Sequence, residues 1–358
     1  MSMEIILTER QKSILAYISR LQGVGNKDIR EFLRNSGEDV ERVTVVRDLD
    51  ALLSSGLIKK LGAGRGVFYQ STAKTPVLSY IDPEAYFILG PDERAVKYPS
   101  FNFSVFAMLQ DIFGEEERKR YEDLNRKYLE KYHAASPISL RKEFERLTIE
   151  LSWKSSRIEG NTYSLIDTEI LIKEKKEASG HKKEEAVMIL NHKSAFDFIL
   201  SKPEQFREIS VTDIETIHSL LVKDLGVETG LRKGLVGIAG TVYRPLDNVH
   251  QIREAMEKAS EVINRESFPV AKALLSAMLI AYIQPFEDGN KRTSRMLANA
   301  ILLAHGYCPL SFRSIDEAEY KKSVVLFYEQ NNLRYFMELF LEQFRFSVEN
   351  AFGGRSEN

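Results

Sequence analysis

Residues 284–295, Gln-Pro-Phe-Glu-Asp-Gly-Asn-Lys-Arg-Thr-Ser-Arg, hold the densest chemistry in this sequence. Gly289 and Asn290 form a short loop opening onto a helix, where backbone N–H groups and the positive end of the dipole favour an anion. Three cations crowd the same end: Lys291, Arg292 and Arg295, the two arginines sharing one helical face at i, i+3. Cations gathered at the positive end of a helix are unfavourable, which argues that an anion binds there. Asp288 adds a hard oxygen ligand suited to Mg²⁺ beside phosphates. The residue types describe a polyphosphate cradle with one metal ligand. It is not a P-loop, because the GxxxxGK[ST] spacing is absent. The plain alternative is an ordinary helix start with surface cations.

The elements that would position this run are helical. Apolar segments flank it, AKALLSAMLIAYI before and RMLANAILLAH after. Apolar spacing predicts helices near 115–133, 138–156, 164–176, 183–201, 210–224, 251–265, 269–283, 291–305, 315–330 and 332–347. Ser210 caps one and Gly306 ends another. The expected fold class is therefore mainly α. One stretch of this part reads as extended, Leu235 to Tyr243, where β-branched residues alternate with glycines. Trp153 reads as core, and the charged run at 115–130 as a solvated helix face.

The chain has 358 residues, enough for two domains or three, and a net charge of -2 that gives no global pull toward nucleic acid or membrane. A single cysteine, Cys308, excludes an intramolecular disulfide framework and a multi-cysteine zinc site, and fits a reducing compartment. There is no basic stretch ahead of a long apolar one at the N-terminus, and no apolar run approaches the ~18 residues that span a bilayer. The expectation is a cytoplasmic protein with no membrane association.

The first 75 residues differ in charge from the rest, net +3 against net -5. Helices fit 8–22, 26–35 and 41–55, with Asn26 as the cap of the second. Ile14, Leu15 and Ile18 would face Ile29, Leu33, Val45, Val46, Leu49, Leu52 and Leu53. After Gly56, LIKKLGAGRGVFY reads as strand, glycine turn, strand. That outline is a winged helix-turn-helix. RVTVVRDLDALLSSGLIKKLGAGRGVFY resembles the recognition helix and wing of DeoR-like bacterial regulators. Arg42, Arg47, Lys59, Lys60 and Arg65 are candidates for DNA phosphates, while Glu38, Asp39, Glu41, Asp48 and Asp50 would blunt that attraction. A dimerisation or protein-docking module is the alternative. Four of ten prolines, Pro76, Pro83, Pro91 and Pro99, then mark an irregular connector over 76–100.

The 284–295 run resembles the motif of Fic (Fido) proteins, HxFx[DE]GN[GK]RxxR, at Pro285, Phe286, Asp288, Gly289, Asn290, Arg292 and Arg295. Two further stretches carry the same resemblance. Ser155-Ser-Arg-Ile-Glu159-Gly160 is similar to the family's [ST]xxxE[GN] inhibitory motif in members whose inhibitory helix precedes the Fic motif. Residues 230–252 look like its flap, a hairpin that holds an extended target by strand addition. The resemblance implies a helical Fic domain over 101–350 with a small β-hairpin flap. It implies Mg²⁺ and ATP as ligands and transfer of AMP to a protein hydroxyl, on a Tyr, Thr or Ser of another protein or of itself. Asp288 would hold Mg²⁺, and Gly289, Asn290 and Lys291 would lie against the nucleotide with Arg292 and Arg295 on its outer phosphates. Ser155, Glu159 and Gly160 would form the inhibitory element, Glu159 pairing with Arg295. The target would lie along Ile238, Ala239, Gly240, Thr241, Val242 and Tyr243.

Two positions depart from the family pattern. Gln284 stands where the motif has the histidine that takes the proton from the target hydroxyl. Glutamine has no titratable group near neutral pH, and general-base catalysis is worth about 10²–10⁴-fold. Among the six histidines, His250 just after the flap is the one with a conceivable reach. Lys291 stands where many AMP-transferring members have glycine and where the phosphate-transferring Doc branch has lysine. The alternatives are a catalytically silent nucleotide-binding domain that regulates a DNA-binding winged helix, in a dimer, or phosphate transfer of the Doc kind.

Overall fold

The computed structural model describes residues 7–353 apart from 22, 73 and 74; the side chain of Arg65 also lies outside the description. The chain divides into two compact units, residues 1–95 with 332–334, and residues 96–331 with 335–358.

The first unit begins with α1 (Glu9–Arg20), β1 (Val24–Gly25), α2 (Asn26–Asn35) and α3 (Arg42–Ser54), followed by β2 (Ile58–Leu61), β3 (Phe68–Ser71) and the short α4 (Pro83–Phe87). Thr8 and Gln11 form a capping box that starts α1, each side chain bonding the other's backbone N–H. The cap of α2 is Gly25 rather than Asn26. Its N–H donates to the Asp28 carboxylate at 3.0 Å, so the acid three residues on does the capping. The strands make an antiparallel sheet in the order β1-β3-β2, with Val24 and Lys60 both opposite Tyr69. Ile14, Leu15, Ile18, Ile29, Leu33, Val45, Leu49 and Leu52 are fully buried in one cluster. Val46, expected in that core, is exposed beside Val43. The reason lies in Asp48, which is buried on the inner face of α3 and binds Arg10 at 2.5 Å and Gln11 at 3.1 Å. Asp48 therefore serves the interior instead of adding negative charge to the surface.

The second unit is helical: α5 (Val105–Met108), α6 (Glu115–Ala134), α7 (Pro137–Ile158), α8 (Leu165–Glu174), α9 (Lys183–Ser201), α10 (Val211–Val222), α11 (Val249–Arg265), α12 (Pro269–Ile283), α13 (Asn290–Ala304), α14 (Glu317–Gln330) and α15 (Arg334–Asn350). These follow the predicted segments to within a few residues. From Val270 to Ile283 every residue of α12 is buried, including Lys272, whose Nζ donates to the Arg207 carbonyl at 3.0 Å. A helix apolar on all sides must be surrounded, and α12 packs against α11, α13 and α14, while α13 also meets α7, α9 and α10. The loop joining α12 to α13, 284–289, thus hangs between the two most buried helices among the described residues.

The expected flap hairpin over 230–252, including the stretch 235–243 read as extended, has no strand ladder. Its turn is present at Ala239–Gly240, with Gly240 at φ +81°, but the limb after it pairs elsewhere. Arg244 donates its N–H to the Pro99 carbonyl at 2.9 Å, and its carbonyl accepts from Phe101. An isolated two-stranded hairpin is marginal in water, and here an outside partner takes the backbone groups a ladder would use.

The α12–α13 seam sets the loop, so its packing is testable. Leu297, fully buried on α13, should cost about 3 kcal/mol when changed to alanine. Urea unfolding followed by far-UV circular dichroism would read this; a loss under about 1 kcal/mol would mean the seam is loosely filled.

Candidate functional site

Gln284 ends α12 in the left-handed region, φ 52°, and its amide is fully used. Nε2 donates to the Ala281 carbonyl at 2.6 Å and to Tyr328 Oη at 3.2 Å, while Oε1 accepts from Asn290 Nδ2 at 3.0 Å. Asn290 clasps the loop from the other end. Its Oδ1 accepts the Phe286 N–H at 2.9 Å and its Nδ2 also donates to the Phe286 carbonyl at 2.8 Å. These bonds fix both amide orientations, since each oxygen meets a donor and each nitrogen meets acceptors.

Gly289 is the cap of α13 at φ +81°, with no side chain to accept from the first-turn N–H groups. A Cβ there would stand 3.0 Å from Val222 Cγ1 and 3.5 Å from His218 Cδ2, so both conformation and space require glycine. His218, from α10, is fully buried and stacks on Phe286 with centroids 3.7 Å apart. Its Nε2 bonds the Asp288 carbonyl at 3.0 Å, and its buried Nδ1 has no partner. Burial pushes its pKa down to about 4, so it is a neutral Nε2–H donor. His218 is the imidazole that touches the loop, whereas His250 is exposed on α11. Nothing in the spacing of the sequence marks His218, because α10 and the loop are 70 residues apart.

The two arginines of α13 are not surface cations. Arg292 is 1% exposed and donates from Nη2 to Asp288 at 2.8 Å. Arg295 has no exposed surface. Its Nε donates to Ser155 Oγ at 3.0 Å, its Nη2 to the Ser155 carbonyl at 2.8 Å and to Glu159 Oε1 at 2.9 Å, and its Nη1 to Tyr320 Oη at 3.3 Å. Glu159 closes α7, with Gly160 at φ +97° behind it. Its second oxygen lies 3.6 Å from Lys291 Nζ. Burial alone would raise the Glu159 carboxyl, but Arg295, Lys291 and Arg292 hold it below the usual carboxylate range.

Arg232, absent from the sequence expectations, ties the flap to the loop. It is 2% exposed, and its guanidinium donates to the carbonyls of Gln284 (2.6 Å), Gly234 (2.6 Å) and Leu246, with its N–H on the Pro285 carbonyl at 2.9 Å. Of the flap residues, Ala239 and Gly240 are exposed, and Ile238 and Val242 are half-buried. Thr241 Oγ1 donates to Glu329 at 2.6 Å, and Tyr243 Oη to the Tyr282 carbonyl at 2.9 Å. In the first unit Arg42, Arg47, Lys59 and Lys60 are all exposed, and Arg65 lies outside the described side chains. Trp153 is half-buried, its Nε1 donating to the Tyr163 carbonyl at 3.1 Å.

The arrangement suits a polyanion. First-turn N–H groups without a capping side chain face a loop carrying a mostly exposed Asp288, and two buried arginines stand behind. No cluster of three or more His, Cys, Asp or Glu able to hold a metal exists among the described residues. One carboxylate is still enough for Mg²⁺ where phosphates supply the other oxygens, and Asp288 fits that use.

Residues 208–302 match the Fic/DOC family model. The chain is 27% identical over 215 residues to a protein adenylyltransferase Fic of Drosophila ananassae, covering 59% of this chain and 43% of that one. It is 29% identical over 195 residues to one of Nematostella vectensis, covering 52% and 44%. It thus spans less than half the length of these relatives. Among solved structures, Fic-1 (aa134 - 508) from C. elegans aligns with a TM-score of 0.55 at 22% identity, over 67% of this chain and 72% of that one. A Fic domain containing signaling protein from Bacteroides thetaiotaomicron aligns with a TM-score of 0.55 at 21% identity, over 66% and 97%. These structural likenesses show a Fic fold.

The Glu159 pairing has a measurable pH signature. A carboxyl whose pKa is lowered by folding stabilises the fold above its ordinary value of 4.5 and loses that stabilisation as pH falls through the lower folded value. Glu159→Gln should cost about 2 kcal/mol at pH 7, less than a truncation that removes both oxygens, because the amide oxygen still accepts. The gap to the parent protein should narrow as pH drops below 4.5; a gap that stays constant down to pH 3 would show that Arg295 does not depend on the carboxylate charge.

Proposed function

We propose that the chain binds Mg·ATP at 288–295 as an AMP-transferring Fic protein acting on a protein hydroxyl, restrained by Glu159 and slowed by Gln284. The observation that carries this reading is the carboxylate of Glu159 seated on the buried Arg295, in a cradle otherwise built for phosphate. The inhibitory helix is then α7, whose last turn offers Ser155, Glu159 and Gly160. The domains run 1–75 as a winged helix, 76–100 as the connector and 101–350 as the Fic domain.

The residues divide the work as follows. Asp288 would hold Mg²⁺, with phosphate oxygens as its other ligands, and the ion would neutralise polyphosphate charge. First-turn N–H groups of α13, beginning with those of Asn290 and Lys291, donate to phosphate oxygens and stabilise the charge that develops in transfer. Arg292 and Arg295 present planar forks to the outer phosphates. Glu159 must leave Arg295 before a terminal phosphate can take its place. The target backbone would lie along 238–243, which Arg232 tethers to the reacting loop. Gln284 does not accept the target's proton, because an amide has no titratable group in range and its oxygen and both N–H groups are already engaged.

That engagement also favours a second reading, in which the domain binds nucleotide without transfer and governs DNA binding by the first unit. Its surface there is α3, with Arg42, Val43, Val46 and Arg47 exposed. Phosphate transfer of the Doc kind has less support, since Lys291 lies against Glu159 and is accounted for by that contact.

Transfer from α-labelled and γ-labelled ATP, measured in parallel for the parent, Glu159→Gly, Gln284→His and the double variant, decides among these. The expected result is α-label transfer raised by about 10²–10⁴-fold on installing histidine, and raised further in the double variant. Label from γ-ATP alone would establish phosphate transfer. Silence in all four with ATP still bound would leave the nucleotide-responsive regulator.

A further inference from the structure

On α9, behind Arg295, His192 lies with no exposed surface. Its Nε2 is 2.9 Å from Ser155 Oγ, and its Nδ1 is 2.8 Å from the Met188 carbonyl and 3.3 Å from Ser156 Oγ. Neither the family motif nor the restraint by Glu159 assigns it a task. We infer that His192 is a positioning residue for Arg295: by accepting the Ser155 hydroxyl proton it turns a Ser155 lone pair onto Arg295 Nε and presets the guanidinium independently of Glu159.

The proton inventory leads there. Ser155 Oγ accepts the Arg295 Nε–H at 3.0 Å, and Arg295 is never an acceptor. The serine's own proton must then go elsewhere, and His192 Nε2 is the acceptor at hydrogen-bonding distance. That requires Nε2 to be bare and the imidazole to carry its proton on Nδ1, which is the nitrogen that faces the Met188 carbonyl. The opposite tautomer would set a bare Nδ1 against a carbonyl oxygen at 2.8 Å, lone pair to lone pair. A charged imidazole is excluded by burial beside Arg292 and Arg295, which hold the ring neutral down to about pH 3. The chain of bonds is therefore Arg295 Nε–H to Ser155 Oγ–H to His192 Nε2, with His192 Nδ1–H to Met188.

Glu159 accepts from one Arg295 nitrogen, while Ser155 and Tyr320 make three further contacts with the guanidinium. When Glu159 leaves, those contacts stay. Ser155 thus belongs with the receiving site, although it sits one turn before Glu159 on the same helix. The sign of its effect on nucleotide binding is opposite to that of Glu159.

This inference rests on the reading of Arg295 as a ligand of the outer phosphates. It is tested by calorimetric affinities of the full chain for Mg·ATP and for AMP, which lacks those phosphates, in a Glu159→Gly background. Adding His192→Leu or Ser155→Ala should weaken Mg·ATP by about tenfold, the scale of one charge-assisted hydrogen bond, and leave AMP unchanged. His192→Gln, whose amide oxygen can accept the Ser155 proton, should recover most of the loss. Ser155→Ala removes one oxygen atom and carries the test if His192→Leu does not fold. Tighter Mg·ATP binding in either variant, or equal loss for ATP and AMP, would overturn the inference. So would imidazole ¹⁵N shifts that place the His192 proton on Nε2, a result that leaves the nucleotide reading standing. If no form, Glu159→Gly included, binds Mg·ATP, the nucleotide reading fails and this inference with it.

Discussion

A guanidinium removed from water must find every partner inside the protein, and Arg295 is the charge on which the rest of the site depends. Burying an unpaired cation costs several kcal/mol at the least. Four side chains or backbone groups, from α7 and α14, meet its N–H groups, so α7, α13 and α14 are held in one register by one residue. The same pairing explains the place of Glu159. A carboxylate at a helix C-terminus is unfavourable by itself, and it is stable here because two cations of α13 face it.

The α12–α13 loop answers to a different constraint. It leaves a helix that is buried on all sides and enters one that is nearly so, so the backbone groups at its two ends lie away from water and need internal partners. Asn290 supplies them from its side chain, braced by the Gln284 amide, Arg232 from a distant segment, and His218 by a bond to the Asp288 carbonyl. Gln284 is knitted into this knot as a structural member. A residue without a titratable group therefore leaves the loop's shape intact, and geometry and proton transfer are separable here.

The first unit shows how charge counting on a sequence misleads. Asp48 adds nothing to the outer surface of α3, because it is buried against Arg10 and Gln11, while the arginines beside it stay exposed. Val43 and Val46 occupy the same outer face, one 66% and the other 37% exposed. The outward side of α3 is more basic and more apolar than its sequence suggests.

Much of the second unit could be read from the chain. The 3.6-residue spacing of apolar positions located the helices, since burial of one face is what that spacing records, and Gly289-Asn290 was legible as the opening of a helix crowded by three cations. The pairing of Glu159 with Arg295 was reached only through resemblance, and Arg232, His192 and His218 carried no mark at all. Arg232 and His218 reach the loop from 52 and 70 residues away, and His192 reaches Ser155 from 37; no local pattern encodes a partner that arrives by helix packing. The pairing of the flap was not legible for a related reason: alternation predicts an extended limb, but which backbone it pairs with was settled by the nearness of Pro99 and Phe101. Sequence alone determined the helices, the glycine-asparagine loop with its three cations, and the glutamine at 284. Tertiary structure alone decided which buried groups share protons with Arg295, because hydrogen bonds between distant elements exist only once those elements are packed.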